Sequence, residues 1–261
     1  METKPKVLYK YRSLSGHSFR YTHDIFLHNE LYFAHPDDFN DPFDCKIPPY
    51  LEKLDTIHLI EKLKSYDTKQ FESNKSSLNE CIQIVENVDI TRIRQSLTQV
   101  TRHQNVGILS LSESYSDILM WGHYADSHKG ICIGFDYNEL LFPFSYEESE
   151  PMQVTYPLDN NYPPWSPLDE ADSAQIKTIY LTKAKHWKYE KEWRIILPEQ
   201  GRTLHTIKPK ALVSVYLGCQ IDEGLRKTVI KWCLQREPKP KVYKMTTDDT
   251  SFSLKESEVL Y

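Results

Sequence analysis

The sequence predicts an α+β fold. One domain over residues 1–261 is built on a mixed, mainly antiparallel sheet, and residues 51–104 form a helical insertion within it. Three observations predict this. Short runs with period-two alternation recur along the chain. Outside 51–104 they outnumber the helical patterns, and they do not alternate strictly with helices as parallel βαβ units do. Within 51–104 the apolar residues fall at helical spacing instead.

The elements follow in order. Residues 7–12, Val-Leu-Tyr-Lys-Tyr-Arg, alternate as a strand, with Val7, Tyr9 and Tyr11 on one face and Leu8, Lys10 and Arg12 on the other. A short helix is expected over 17–29. Leu31–Ala34 is a second strand, stopped by His35-Pro36, because proline cannot donate to a ladder. Asp37-Asp-Phe-Asn-Asp-Pro-Phe-Asp44 reads as a turn-rich loop whose Asn and Asp side chains bond their own backbone, with Phe39 and Phe43 as anchors to the core. Leu51, Leu54, His58 and Leu63 define one helix of the insertion; Leu78, Ile82, Val85, Ile90, Ile93, Leu97 and Val100 define one or two more. Residues 106–112 and 131–136 are buried-type strands, with Ile131, Ile133 and Phe135 sharing a face. Residues 143–175 read as an exposed loop around Pro163-Pro164 and Asp169–Asp172, with a short strand at Val154–Tyr156. Strands at 211–217 and 241–246 flank a helix at 222–235.

Composition narrows the function. Hydrophobic residues make up 39% of the chain and charged residues 26%, which supports a packed core. The net charge of −5 gives no overall basic field for nucleic acid, although a local basic groove stays open. The five cysteines include no Cys-x-x-Cys, and the ten histidines no His-Glu-x-x-His, so neither a disulfide framework nor a motif-type zinc site is indicated. No glycine-rich phosphate loop and no GxSxG elbow occurs. The N-terminus lacks an apolar leader pattern and no run approaches a membrane span, which reads as a soluble cytoplasmic protein without membrane association.

The chain is organised around Lys183-Ala-Lys-His-Trp-Lys-Tyr-Glu-Lys-Glu-Trp-Arg-Ile-Ile196. If residues 190–197 are extended, Glu190, Glu192 and Arg194 share one face and Lys191, Trp193 and Ile195 the other. Two adjacent carboxylates raise each other's pKa and a guanidinium lowers it, which can match a carboxylate to a chemical task. The competing reading is a solvated edge strand with a cross-strand ion pair. Three further polar clusters lie beside strands: Lys10/Arg12, Asn40/Asp41/Asp44 and His123/Tyr124/His128. Each has a plain structural reading, as a strand-edge charge, a capped turn and core packing respectively. Asp41, Asp44, His123 and Glu192 as a divalent-metal set for phosphodiester hydrolysis is a third reading, without a recognisable ligand spacing.

Leu8–Ser13, Leu31–Ala34 with Phe39–Asp44, Met120-Trp-Gly-His-Tyr-Ala125 with Gly130–Asp136, Trp187-x-x-Glu-x-Glu-Trp-Arg194 and Val213–Gly218 occur in this order. The set resembles the bacterial family called domain of unknown function 2971, across nearly the whole chain. The order of Arg12, Ser110-Leu-Ser112 and Glu190-Lys-Glu192 also resembles ADP-ribosyltransferases of the arginine–serine–glutamate class, over spacings longer than that family's. That second resemblance implies an ADP-ribosyltransferase-like sheet core and NAD as substrate. It implies that Arg12 grips the pyrophosphate, Ser110 and Ser112 support the nicotinamide pocket, Glu192 acts on the ribose and Glu190 activates the acceptor. Tyr11, Asn40, Asp41, His123, Tyr124 and Arg194 complete the expected nucleotide contacts, with Tyr124 stacked on nicotinamide. No metal enters this reading. The acceptor is a nucleic acid or a protein, and the opening strand is similar to that of DNA-modifying toxins, which implies a toxin or anti-phage effector. The alternative is a non-catalytic nucleotide-sensing or partner-binding module that uses the 51–104 helices as its partner surface.

Overall fold

Strand β1 (Val7–Arg12) lies inside an eight-stranded mixed sheet of order β10-β9-β8-β4-β1-β3-β6-β5. The computed structural model describes residues 4–48, 105–140, 142, 150–159, 161–165 and 173–258. The expected helices over 51–104 and the acidic segment Asp169–Asp172 lie outside them. The other strands are β2 (Glu30–Phe33), β3 (Gly107–Ser112), β4 (Ile131–Asp136), β5 (Met152–Gln153), β6 (Glu192–Leu197), β7 (Thr203–Thr206), β8 (Leu212–Leu217), β9 (Lys241–Thr247) and β10 (Leu254–Glu258). The described helices are α1 (Gly16–Leu27), α2 (Ile118–Tyr124), α3 (Ser173–Tyr180) and α4 (Glu223–Leu234). All neighbours in the large sheet are antiparallel except β8 and β9. A parallel pair needs a crossover, and α4 provides it. β2 and β7 form a separate two-stranded sheet, tied to β3 by a bridge from Ala34 to Ile108.

Alternation along the strands sorts side chains between two layers. Leu8, Leu109, Leu111, Ile131, Ile133, Phe135, Trp193, Ile195 and Leu197 enter the main core, where Phe26 of α1 and Trp232 of α4 pack against each other. Tyr11 and Cys132 face the other way, onto Met120 and Trp121 of α2. Arg236 locks α1 in place: its guanidinium donates to the carbonyls of Ile25 and Phe26, to Asn29 Oδ1 and to the Pro209 carbonyl. These bonds satisfy acceptors that a helix end leaves unpaired. At the end of β1, a Cβ on Gly130 would lie 2.2 Å from the Arg12 carbonyl oxygen, so only glycine permits this approach.

Several expectations need correction. The stretch Trp121–Tyr124, for which the sequence indicated no element, is helical, because Asp117 caps α2 by accepting from the Leu119 and Met120 N–H groups. Residues 173–180, which include the end of the expected loop, form α3. The expected strand at Val154–Tyr156 lies two residues earlier, as β5, and continues only as a bridge from Thr155 to Thr182. Phe43 is no anchor: it is 62% exposed, while Phe39 packs in a small cluster with Ile108 and Ile196. The described cysteines are unpaired thiols.

Candidate active site

A cavity of about 500 Å³ opens between β1 and β3. The two strands share one register pair, Tyr9 with Ser112. Beyond it no further pairs form toward Arg12, and the Lys10 ammonium donates across the gap to the Ser110 carbonyl at 3.1 Å. Parted strands leave backbone and side chains free to face a ligand. Tyr9 through Ser13 line one side, and Ile108 and Ser110 through Ser112 line the other. The cations are half-buried and form no direct ion pair among the described residues. Among the described residues neither Lys10 nor Arg12 has a carboxylate at ion-pairing distance; Arg12 donates to Thr22 Oγ1 and to the Ser18 carbonyl. Burial, with Arg12 beside it, brings the Lys10 ammonium down to about 7, and burial brings Arg12 down to about 10.

The opposite wall is acidic. β6 is not a solvated edge strand: it runs between β3 and β5 and all six of its residues are buried. Glu192, Arg194 and Ile196 share one face of β6, as alternation requires, and Glu192 is the one of them that lines the cavity. Glu190 reaches the same place by another route. It ends a 3-10 turn over Lys185–Glu190, and Lys191 follows in the left-handed region at φ 44°, so Glu190 is not part of the strand. Ser112 Oγ fixes the turn by donating to the Glu190 carbonyl at 2.6 Å.

The carboxylates are held by two cations that the sequence reading did not place there together. Lys183 Nζ donates to Glu190 Oε2 at 2.5 Å and to Glu192 Oε2 at 3.0 Å, and lies 3.5 Å from Asp44 Oδ2. Arg194, fully buried, spends its guanidinium on Glu192, Asp44, the Cys45 sulfur and the Tyr180 carbonyl. Tyr124 donates its hydroxyl to Glu190 Oε1 at 2.6 Å. The two glutamates titrate apart. Burial would raise both. For Glu192 the charges of Arg194 and Lys183 outweigh burial and hold it at about 2. For Glu190 burial prevails, helped by the Glu192 charge, and its pKa lies above the usual range. Lys183 stays firmly protonated, because its carboxylate neighbours outweigh burial.

Of the expected site residues, the structure brings Tyr11, Arg12, Asn40, Ser110, Ser112, His123, Tyr124, Glu190 and Glu192 to this one cavity. Arg194 lies behind Glu192 and does not line this cavity; its donors are spent on Glu192, Asp44, Cys45 and Tyr180. Asp41 lines a second cavity instead. His123 is exposed at the rim, with its ring 6.3 Å from that of Tyr124. Among the described residues no group of three or more His, Cys, Asp or Glu is arranged to hold a metal, and Asp41, Asp44, His123 and Glu192 do not converge. Lys183 is the member that sequence reasoning missed, and Asp44 entered it only as a turn residue and a metal-ligand candidate. Asp44 had a signal, its place in the Asn40/Asp41/Asp44 cluster. Lys183 had none beyond lying in the same stretch.

The site and sheet define an α+β protein with a cavity between parted central strands, cationic on one wall and acidic on the other. Residues 120–195 match the model of a family described as protein of unknown function (DUF2971). The match runs from α2 into β6 and contains Tyr124, Lys183, Glu190, Glu192 and Arg194. The segments Leu8–Ser13, Phe39–Asp44 and Val213–Gly218 lie outside it, so the likeness is shown for less of the chain than the motifs suggested. No curated protein and no solved structure matches the chain. No helix among the described residues is long and apolar enough to cross a membrane.

Proposed function

We propose that the cavity binds NAD and that the protein cleaves its nicotinamide–ribose bond, as an ADP-ribosyltransferase or NAD glycohydrolase. The observation that carries this reading is the pairing, in one cavity, of two cations that form no direct ion pair among the described residues with two carboxylates of opposite pKa shift. Lys10 and Arg12 suit a pyrophosphate, the guanidinium as a donor fork and the ammonium as a point charge. Nicotinamide leaves with the bonding electron pair, and the ribose carbon becomes oxocarbenium-like. The permanently ionised Glu192 stabilises that charge without taking a proton. Glu190 accepts the proton of the attacking hydroxyl or water as the new bond forms; pairs of carboxylates pushed apart in pKa commonly divide these two roles. Arg12, Ser110/Ser112 and Glu192 sit on the neighbouring strands β1, β3 and β6, which supports an ADP-ribosyltransferase-like core. The resemblance extends this to a toxin or anti-phage effector, a role that NAD depletion would serve.

The test is incubation of the protein with NAD, with nicotinamide followed by chromatography and NAD binding by calorimetry, for the wild type and Glu190→Gln. Release that is lost in a folded Glu190→Gln variant supports the enzyme. One observation favours a second reading, a nucleotide-binding module: both Glu192 oxygens already accept bonds from Arg194 and Lys183. Binding of NAD without release selects that module, and absence of both overturns the nucleotide reading.

A further inference from the structure

We propose that a second cavity, of about 580 Å³, is a binding site for an organic ammonium ion that carries a flat aromatic body. This site is separate from the nucleotide reading and does not depend on it. The cavity shares only Asp44 and Lys183 with the first, so these two residues form the partition between them. Its volume falls in the range of small-molecule sites, roughly 300–1,000 Å³.

The walls supply the body's contacts. Phe43, 62% exposed, and Tyr162, 48% exposed, stand at this cavity together with Trp187. Large apolar side chains gathered at a cavity mark a binding surface more often than the same residues scattered singly. The charge comes from Asp41. It is 3% exposed; among the described residues it has no ion-pair partner, Oδ1 accepts the Phe43 N–H at 2.9 Å, and Oδ2 has no hydrogen-bond partner. The partition's charges are balanced against each other: Asp44 is clamped by Arg194, and Lys183 is shared between Glu190 and Glu192. Asp41 is therefore a carboxylate of the cavity wall without a cationic partner among the described residues. A buried, unpaired carboxylate is costly, and a cation in the cavity offsets that cost through space, without needing to reach the sealed oxygen. The Lys183 ammonium already stands over the Trp187 ring, 5.0 Å from its centroid, so the attraction of an aromatic face for the ligand's ammonium falls to Phe43 and Tyr162.

Tyramine and tyrosol are matched probes: the same phenol-ethyl body, ending in an ammonium or in a neutral hydroxyl. Binding to the full chain is measured by calorimetry, and the site is located from the Trp187 indole resonance, assigned with Trp187→Phe. Tyramine is expected to bind at least tenfold more tightly than tyrosol and to move that resonance. Asp41→Asn brings the two probes within twofold of each other. Tyr162→Ala, at an exposed position, weakens tyramine at least fivefold and keeps the test decisive if Asp41→Asn does not fold. Equal binding of the two probes, no binding of either, or tyramine affinity unchanged in the variants overturns the proposal.

Discussion

Arg194 and Asp44, 150 residues apart in the chain, form a two-pronged buried ion pair: Nη1 donates to Oδ1 at 2.9 Å and Nη2 to Oδ2 at 2.6 Å. The pair fastens the loop after β2 to the underside of the acidic wall. Both side chains are essentially closed to solvent. A buried pair of this kind is weak evidence of net stabilisation, but removal of one member leaves the other charge stranded. Arg194→Met should therefore lower unfolding stability by roughly 3–5 kcal/mol. Urea denaturation checks this, and a loss under about 1 kcal/mol would show that the loop is held by packing alone.

The split between the glutamates makes a prediction about acid. Glu192 has its folded pKa depressed to about 2 by Arg194 and Lys183, acting against burial. A depressed carboxylate contributes stability that is present above its unfolded pKa, about 4.3, and is lost as pH falls through the folded value. Glu190 is raised, so its ionisation works in the opposite sense, against the fold as pH rises past the unfolded value. The Glu192 contribution predicts a steep fall in melting temperature between about pH 4.3 and pH 2, and Glu192→Gln should flatten that fall. Parallel curves for the two proteins would remove Glu192 as its source.

Much of the fold was legible because it rests on local rules. Period-two alternation placed β1, β3, β4, β8 and β9, and it sorted Trp193 and Ile195 from Arg194 correctly. What failed was set by single residues. Lys191 takes a left-handed conformation that alternation does not register, so Glu190 reaches the wall from a turn. A helix of seven residues, α2, was hidden because its one clear signal was the capping Asp117. The clamp on Asp44 was out of reach, since nothing local ties a loop aspartate to an arginine 150 positions on. Nothing in the sequence set Lys183 apart from the solvated charges that most lysines are, and it is 7% exposed.

If Arg12 holds a phosphate, its contribution is a charge-assisted bond of about 1.5–3 kcal/mol. Arg12→Gln should then weaken ADP-ribose binding by roughly 10- to 150-fold. It should also reduce the dependence of affinity on salt, because one fewer cation is screened. Among the described residues Arg12 bonds only Thr22 and the Ser18 carbonyl, so the substitution strands no carboxylate there and the fold should persist by circular dichroism. Unchanged affinity in a folded variant would place the phosphates elsewhere.

Lys10 offers a test that needs no turnover. Burial and the neighbouring Arg12 bring its ammonium down to about 7, so near neutral pH about half of it is the free amine. Only the free amine attacks an acylating reagent. Lys10 should therefore be acetylated by acetic anhydride with a midpoint near pH 7, whereas ordinary surface lysines follow a midpoint of about 10.4. Peptide mass spectrometry over a pH series separates the two populations. The sign of a ligand effect follows from the same argument: a pyrophosphate beside Lys10 favours the charged form and moves the midpoint upward. Saturating ADP-ribose should thus protect Lys10 at pH 7 and protect it less as pH rises. A nucleoside without phosphates has no charge to offer and should leave the midpoint where it was. If Lys10 titrates with the other lysines, the cation pair is solvated and the anion-binding wall is lost; if it titrates low but ADP-ribose leaves it unmoved, the wall stands and its ligand is something other than a pyrophosphate.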